Sequence, residues 1–312
     1  MSWRVRVPAS SANLGPGFDA LGLALAQYLT CRFRKSRKLV IRVSGRDAHE
    51  IDTGEGNLIW QTALTVARDH GMSLAPIELE IDNDIPLGKG LGSSAAALIA
   101  GVVIADRLLK LNMKPLRILD EAARIEGHPD NVAACVLGSA VASAIDEGNA
   151  VRAVKLKLPS RFKVAVVTPD FPLPTVRARQ VLPKRYSRED AIFNVQRAAL
   201  LIAALATGST SAFPTALEDR FHQPFREKLV PGLHQILRLK APGLLGCTLS
   251  GAGPSVLVFY EKGHEEVCGL VRQIFALHGK KSEVLRMGVA ANGYEIKEDS
   301  KPWPSVPRLS RR

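Results

Sequence analysis

The sequence predicts an α+β fold, because segments with strand patterns and segments with helix patterns are mixed along the chain. Apolar and polar residues alternate in residues 3–8 and 77–82, which is typical of strands. Pro115 opens an amphipathic run that predicts a helix to Glu126. Leu158-Pro159 then marks a boundary before a new strand at 162–168. We therefore expect two α+β layers, with domains at 1–158 and 159–298.

The N-terminal elements follow in order. Residues 3–8 and 21–46 predict strands with turns, joined by a loop at 9–20 that is rich in glycine, asparagine and aspartate. A helix near 57–71 ends at Gly71. The strand at 77–82 alternates apolar and acidic residues, which is typical of a half-solvated antiparallel strand. A glycine loop then leads into a long helix that ends near Lys110.

Beyond the boundary, two helices alternate with strands. The helices run from Ser187 to about Thr207 and from His264 to about Leu277, and the strands cover 255–260 and 282–297. Residues 299–312 form a basic, proline-rich tail that we expect to be irregular.

Composition limits the possible functions. The formal net charge is +12, and residues 32–38 and the tail carry part of it. Aromatic residues make up only 5% of the chain, which is too few for the stacking platform of a nucleic-acid binder. We therefore expect solvated basic surface that attracts anionic substrates, and no nucleic-acid partner.

Three further observations predict a cytoplasmic protein without a membrane partner. The longest apolar run, residues 198–206, is shorter than the roughly 20 residues of a membrane span and predicts a buried helix face. The N-terminus lacks the uninterrupted apolar region of a signal peptide. The cysteines are scattered without a Cys-x-x-Cys pair, which predicts core residues in a reducing compartment: Cys31, Cys135, Cys247 and Cys268.

The glycine loop is the strongest functional signal. Gly88, Gly90 and Gly92 remove the Cβ atoms that would keep the backbone away from a ligand, and Ser93-Ser94 then opens a helix. The free N–H groups and the positive end of the helix dipole favour a phosphate at this point. The spacing differs from that of a Walker A loop and from that of a dinucleotide fingerprint. Ser94 also offers a hydroxyl ligand for magnesium.

Four other stretches concentrate polar groups. In residues 8–19, Asn13 and Asp19 are candidates to bind an amino or hydroxyl group, or else to close an ordinary loop. In residues 126–131, Glu126 lies at the negative end of a helix, where a magnesium ion would relieve the repulsion. The arginines of 174–179 and 219–226 suit a carboxylate, although each taken singly is typical of a surface salt bridge. Residues 246–255 form a second glycine-rich turn.

Together these stretches resemble the GHMP kinase family. Pro86-x-x-x-Gly90-Leu91-Gly92-Ser93-Ser94-Ala95-Ala96 is similar to its second motif, and residues 249–255 are similar to its third. Residues 11–19, 126–131 and 223–226 are similar to segments of the homoserine kinase branch, and the resemblance extends from about residue 4 to 297. One departure is Gln223, which stands where an acidic residue is expected before the proline.

The resemblance implies a fold and an activity. It implies an N-terminal domain of the ribosomal-protein-S5 type, a ferredoxin-like C-terminal domain and an active site in the cleft between them. The implied reaction is transfer of the ATP γ-phosphate to the side-chain hydroxyl of L-homoserine, a step of threonine biosynthesis. The alternatives are another small-alcohol kinase, such as a mevalonate-type kinase, or a ligand sensor without activity. The sequence does not define the oligomeric state, and a homodimer is one expectation.

The resemblance also implies residue roles. Asn57 would contact adenine, and Ser94 and Glu126 would hold Mg2+. Asn13, Asp19 and Asn131 would orient the amino and hydroxyl ends of homoserine, Arg179 and Arg226 would bind its carboxylate, and Thr175 would act with Asn131 and Arg179 at the reacting centre. The residues that would surround the ATP phosphates are Pro86, Leu87, Gly88, Lys89, Gly90, Leu91, Gly92, Ser93, Ser94, Ala95 and Ala96.

Overall fold

The computed structural model describes residues 1–299 and 303. Its strands are β1 (Ser2–Ala12), β2 (Leu21–Lys35), β3 (Val40–Gly45), β4 (Ile77–Asn83), β5 (Ala140–Ile145), β6 (Val151–Leu156), β7 (Phe162–Pro169), β8 (Leu244–Leu249), β9 (Val256–Glu261), β10 (Ser282–Leu285) and β11 (Glu295–Glu298). Its helices are α1 (Leu58–Asp69), α2 (Ser93–Leu109), α3 (Pro115–Glu126), α4 (Asp130–Leu137), α5 (Thr175–Gln180), α6 (Arg188–Thr207), α7 (Phe213–Ala216), α8 (Gln223–Arg226), α9 (Leu233–Leu237) and α10 (Val267–Leu277). The expected α+β fold class is confirmed.

The first sheet has seven strands and is organised around the long strand β2. Strand β2 pairs antiparallel with β1, β4 and β5 along different parts of its length, and β3 and β11 form the two edges of the main path. Val5 lies opposite Cys31 and Val7 opposite Leu29, and all four are buried. Because successive side chains of a strand point to opposite faces, this register directs one face of the sheet into the core under α2 and α4.

The second sheet has four antiparallel strands in the order β10-β7-β9-β8. One of its faces joins the larger core through Phe162, Phe213 and Phe259, whose rings lie within 6.2 Å of one another. Its other face forms a separate core with α9 and α10. The aromatic cluster therefore packs α7 against this face of the second sheet, within the larger core.

Strand β4 differs in part from its prediction. It pairs antiparallel with β2 but parallel with β3, and Glu78 is only 8% exposed. The prediction of a half-solvated strand is wrong at Glu78, because Arg34 on β2 donates two hydrogen bonds to its carboxylate, at 2.9 and 3.2 Å. A paired carboxylate can be buried where an unpaired one would be costly.

The segment 282–297 forms two strands in different sheets. Strand β10 completes the second sheet, whereas β11 pairs with β1 in the first, with Val5 opposite Ile296. The chain therefore crosses between the sheets once after β6 and returns after β10. The domain division at 158/159 stays a prediction, and its C-terminal part contains one strand of the first sheet.

The predicted loop at 9–20 is shorter than expected, since β1 continues to Ala12. The basic stretch 32–38 lies mostly in β2, where Arg32 pairs with Glu80 and Asp299. The predicted irregular tail lies outside the described residues except for Asp299 and for Trp303, whose ring lies 4.7 Å from the Arg34 guanidinium.

Helix α6 contains the apolar run 198–206, and only one side of it is buried. Leu201 and Leu205 are in the core, but Leu200 is 38% exposed, so the predicted buried face is only partly correct. Within the described residues, α6 is the one helix that is long and apolar enough to cross a membrane, by length and composition only. A single helix of this kind is weak evidence for a span, because core helices meet the same criterion.

Candidate active site

The glycine loop adopts backbone conformations that need glycine. Gly88, Gly90 and Gly92 all have positive φ angles, of 64°, 75° and 68°. A Cβ atom on Gly90 would lie 2.2 Å from the carbonyl oxygen of Ser250, and one on Gly92 would lie 2.0 Å from Ser10 Oγ. The loop therefore packs directly against two other segments of the chain.

The hydrogen bonds of the loop fix the direction of its peptide groups. Its carbonyl oxygens accept from the rest of the protein: Leu173 N donates to Gly88 O (3.0 Å), Ser255 N to Lys89 O (3.3 Å), Ser250 Oγ to Gly90 O (2.6 Å) and Ser10 N to Leu91 O (3.0 Å). Within the described residues, the backbone N–H groups of residues 90–94 donate no hydrogen bond. The loop thus presents N–H donors at the start of α2, which is the arrangement that binds phosphate.

A cavity of about 140 Å³ lies beside these donors. It brings together predicted residues from both halves of the sequence. They are Asn13, Asp19, Gly88, Gly90, Leu91, Gly92, Ser93, Ser94, Glu126, Asn131, Thr175, Arg179 and Arg226.

One end of the cavity carries charged groups of both signs. Arg179 donates to both carboxylate oxygens of Asp19, at 2.7 and 3.1 Å. Arg226 is only 2% exposed, and burial followed by repulsion from Arg179 lowers its pKa to about 10. The hydrogen bond that Arg179 donates to Asp19 has the opposite effect and raises the pKa of Arg179. Both arginines are therefore charged near neutral pH.

The loop that carries Asp19 is held in a strained conformation. Asn13 and Asp19 have φ angles of 70° and 54°, which are uncommon for residues with a side chain. The Asn13 side chain accepts from Asp19 N (3.0 Å) and donates to Gly251 O (3.1 Å). Asn13 therefore holds the loop in place beside the cavity.

Asn131 lies in the first turn of α4, next to the glycine loop. Its Oδ1 atom accepts a hydrogen bond from Ser10 Oγ at 2.9 Å, and its Nδ2 group makes no hydrogen bond with the described residues. Thr175 opens α5 on the other side of the cavity, and its hydroxyl is also without a partner among the described residues. Both side chains therefore have donors available for a ligand.

Ser94 and Glu126 lie side by side at the cavity. Their oxygens are 3.4 Å apart, close to the separation of about 3.0 Å expected for neighbouring ligands of one magnesium ion with bonds of about 2.1 Å. Burial is the main reason that the pKa of Glu126 is raised, and the charge of Asp130 adds to the effect. The charge of His128 opposes it but does not cancel it. A hydroxyl and a desolvated carboxylate are hard oxygen donors, and they fit magnesium.

The remaining predicted residues lie outside the lining of the cavity. Asn57 caps α1 by accepting from Ile59 N and Trp60 N, at 3.0 and 3.3 Å, and it is buried. Lys89 Nζ points to β7 and donates to Pro169 O at 3.0 Å. Pro86 and Leu87 precede the loop, and Ala95 and Ala96 are buried in α2. Their predicted contacts with ATP stay predictions.

Sequence reasoning left several participants unassigned. His128 and Asp130 line the cavity and share a 2.8 Å hydrogen bond, and their separation by two residues was the available signal. Burial alone would lower the pKa of His128, but the hydrogen bond and charge of Asp130 outweigh it and raise the pKa. The second glycine-rich turn, residues 246–255, meets the first loop through Ser250.

Comparison with known proteins identifies the relatives of this chain. Residues 57–139 match the family model of the GHMP kinases N terminal domain, and residues 201–268 match that of the GHMP kinases C terminal. The chain is 70% identical over 296 residues to a homoserine kinase of Solibacter usitatus, covering 95% of this chain and 97% of that protein. It is 44% identical to a homoserine kinase of Deinococcus radiodurans, covering 83% of this chain and 84% of that protein.

Solved structures agree with these relatives. A homoserine kinase from Cytophaga hutchinsonii superposes with a TM-score of 0.80 at 29% identity, covering 95% of this chain and 97% of that chain. A galactokinase from Lactococcus lactis, complexed with galactose, has a TM-score of 0.67 at 15% identity, covering 94% and 95%, and shares the fold. The chain therefore belongs to the GHMP kinase family and, within it, to the homoserine kinases.

Proposed function

We propose that this chain transfers the γ-phosphoryl group of ATP to the side-chain hydroxyl of L-homoserine, giving ADP and O-phospho-L-homoserine. The observation that carries the proposal is the position of two complementary features on one cavity. Residues 90–94, with their unused N–H donors, line it together with the charged side chains of Asp19, Arg179 and Arg226. The first set suits a phosphate chain, and the second suits an amino acid.

The charged end matches the zwitterionic part of homoserine. Asp19 would accept hydrogen bonds from the ammonium group, and the fork of Arg179 would bind the carboxylate. Arg226 would add its Nη2 group, because its Nε and Nη1 groups already donate to Ala178 O, Gly251 O and His222 Nδ1. Asp19 and Arg179 satisfy each other in the structure, so the amino acid would replace one charge-assisted pair by two. A sugar or a neutral alcohol offers no such exchange.

The uncharged donors that line the cavity suit the reacting hydroxyl. Asn131 Nδ2 and the Thr175 hydroxyl would orient the attacking oxygen towards the phosphate. Phosphoryl transfer depends mainly on such positioning and on stabilisation of charge, so a strong general base is not required. Asp130 is engaged by His128 and by the backbone N–H of Asn131, which suits an orienting role better than that of a base.

Ser94 and Glu126 would hold Mg2+ beside the phosphates. When bound, the ion would neutralise charge on the phosphate oxygens. Asn57 and the outer residues of the loop, 86–89 and 95–96, would complete the nucleotide site.

A coupled assay of ADP release tests the proposed activity. It compares L-homoserine with mevalonate, galactose and shikimate at equal concentrations, with and without Mg2+. Turnover that depends on homoserine supports the proposal. Turnover with mevalonate or galactose alone would support another small-alcohol kinase, and ATP binding without any turnover would support a ligand sensor.

The proposal also covers the cellular compartment and the oligomeric state of the protein. The four cysteines are buried and unpaired, which supports a cytoplasmic protein.

Ile192, Val195 and Leu200 on the outer side of α6 are 47%, 67% and 38% exposed, which supports a homodimer through this helix. Sedimentation velocity of the wild type and of Val195→Glu tests the dimer, and a monomeric wild type would exclude it.

A further inference from the structure

His222 is completely buried beside the charged end of the cavity, yet it is absent from the cavity lining. Its Nδ1 atom lies 2.9 Å from Arg226 Nη1, and its Nε2 atom lies 2.8 Å from Gly15 O. The ring is also stacked on Phe18, with a centroid distance of 5.4 Å. One side chain thus contacts both Arg226 and the loop that carries Asp19.

The two hydrogen bonds define the tautomer of the ring. A guanidinium can only donate, so Nδ1 must accept and carries no proton. A carbonyl oxygen can only accept, so Nε2 carries the proton and donates to Gly15 O. The structure therefore requires a neutral imidazole that is protonated at Nε2.

The charged groups around His222 agree with this state. Burial is the main reason that the pKa of His222 is lowered, and Arg226 adds to the effect, whereas Asp219 at 3.5 Å and Asp19 oppose it. An imidazolium here would place an N–H group against the guanidinium of Arg226, which already lies near Arg179.

A second group of bonds fixes the backbone of His222. The Asp219 carboxylate accepts from the N–H groups of Phe221, His222 and Gln223 at 2.7–3.0 Å. Asn194 of α6 donates to Asp219 at 3.0 Å and to Pro16 O at 3.1 Å, so it also ties this turn to the Asp19 loop. The ring therefore has a rigid support on its own segment and a fixed partner on each side.

We propose that His222, as the neutral Nε2–H tautomer, is a positioning residue that sets the distance and orientation between Arg226 and the Asp19 loop, and thereby determines the affinity for the amino-acid substrate. This inference rests on the proposed function. His222 touches neither substrate. It acts through one residue that binds the carboxylate and one loop that binds the ammonium group.

Two substitutions of His222 each keep one of the two hydrogen-bonding positions of the ring and remove the other. His222→Asn keeps an acceptor near the place of Nδ1, and His222→Gln keeps a donor near the place of Nε2. Because a buried N–H of Arg226 loses its acceptor in His222→Gln, we expect the KM for homoserine to rise about 10-fold or more. We expect a smaller rise in His222→Asn, and the KM for ATP should stay within about 2-fold in both variants.

The exposed His234, in α9, offers a matched control. His234→Gln should leave every kinetic constant unchanged. The inference is overturned if the wild type is active but His222→Gln keeps the wild-type KM for homoserine. It is also overturned if His222→Gln raises the KM for ATP as much as the KM for homoserine. A wild type without homoserine turnover would instead refute the proposed function.

A measurement on the unchanged protein covers the case in which the variants do not fold. Long-range ¹H–¹⁵N correlation spectra at pH 7.5 report the tautomer of each histidine ring. A neutral Nε2–H tautomer for His222 supports the inference. An Nδ1–H tautomer or an imidazolium would contradict it.

Discussion

Arg179 and Asp19 are 160 residues apart in the sequence and form a fork of two hydrogen bonds, at 2.7 and 3.1 Å, at the edge of the cavity. Both are about one-third exposed, so the pair is accessible to a ligand. On the proposed function, each charge holds the other in place until a molecule with an ammonium and a carboxylate group replaces the pair by two new ones. We expect specificity for an amino acid to follow from this relationship.

Asp19→Asn should weaken homoserine binding. The variant keeps the size of the side chain but removes the charge, and charge-assisted hydrogen bonds contribute about 1.5–3 kcal/mol, so the KM for homoserine should rise about 10- to 100-fold. Steady-state kinetics at saturating ATP provide the measurement. The Arg152–Asp146 pair is a matched control away from the cavity, and Asp146→Asn should not change the KM. An unchanged KM in Asp19→Asn would contradict the assigned role.

Arg179→Lys should also be defective, although it keeps the positive charge. Lysine cannot form the planar fork that Arg179 directs at a carboxylate, so we expect the KM for homoserine to rise about 10-fold. The KM for ATP should change little. A lysine variant with wild-type kinetics would show that a point charge is enough.

Glu126→Gln should stabilise the metal-free protein and abolish its activity. The raised pKa of Glu126 means that folding favours the protonated, neutral carboxyl, so the ionised form reduces stability at neutral pH. The neutral amide should raise the free energy of unfolding in EDTA, as urea denaturation would measure, while phosphoryl transfer is lost. A less stable variant would contradict this prediction.

The pKa of His128 gives a pH dependence of stability. Because this pKa is raised in the folded state, the stabilisation is fully present below the ordinary value of 6.5 and is lost as the pH rises through the folded-state pKa. Without metal, the difference in unfolding free energy between the wild type and His128→Gln should therefore be largest below pH 6.5 and should decrease above it. Asp130→Asn removes the partner and should flatten this dependence. A difference that grows with pH would have the wrong sign.

Gly90→Ala should inactivate the enzyme. The new methyl group would lie 2.2 Å from the backbone oxygen of Ser250, at a residue with positive φ, so the loop must move. A displacement of about 1 Å at a site of phosphoryl transfer costs about 100-fold in rate. Gly269 in α10 has no atom within 4 Å of its Cβ position, and Gly269→Ala should keep full activity. An active Gly90→Ala would show that the loop does not position phosphate.

Elements with explicit local signals could be predicted from the sequence. Helix α3 begins at Pro115 and ends at Glu126, as expected, because a proline opens it and Gly127 ends it with a φ of 87°. Helix α4 was missed, because Gly127-His128-Pro129 resembles a loop and the helix begins directly after it. Strands β5 and β6 were missed as well, since β5 joins the sheet by pairing with β2, which is distant in the sequence, and β6 joins it only through β5.

The features of the site also differ in whether a local sequence signal predicts them. The glycine loop carries its signal within a few residues, and its free N–H groups agree with the prediction. The contact of Arg179 with Asp19 and the role of His222 between Gly15 and Arg226 depend on the folded chain, and no local pattern encodes them. The resemblance to a family supplied the order of the motifs, but not these distances.

The central claim is that one cavity joins a phosphate-binding loop to a site for an amino-acid alcohol. The most direct test is kcat/KM for L-homoserine compared with 4-hydroxybutanoate, which lacks the ammonium group, and 3-amino-1-propanol, which lacks the carboxylate. We expect each analogue to lose about 100-fold or more, because each leaves Asp19 or the two arginines without a partner. Equal turnover of homoserine and either analogue, or faster turnover of mevalonate or galactose, would contradict the account.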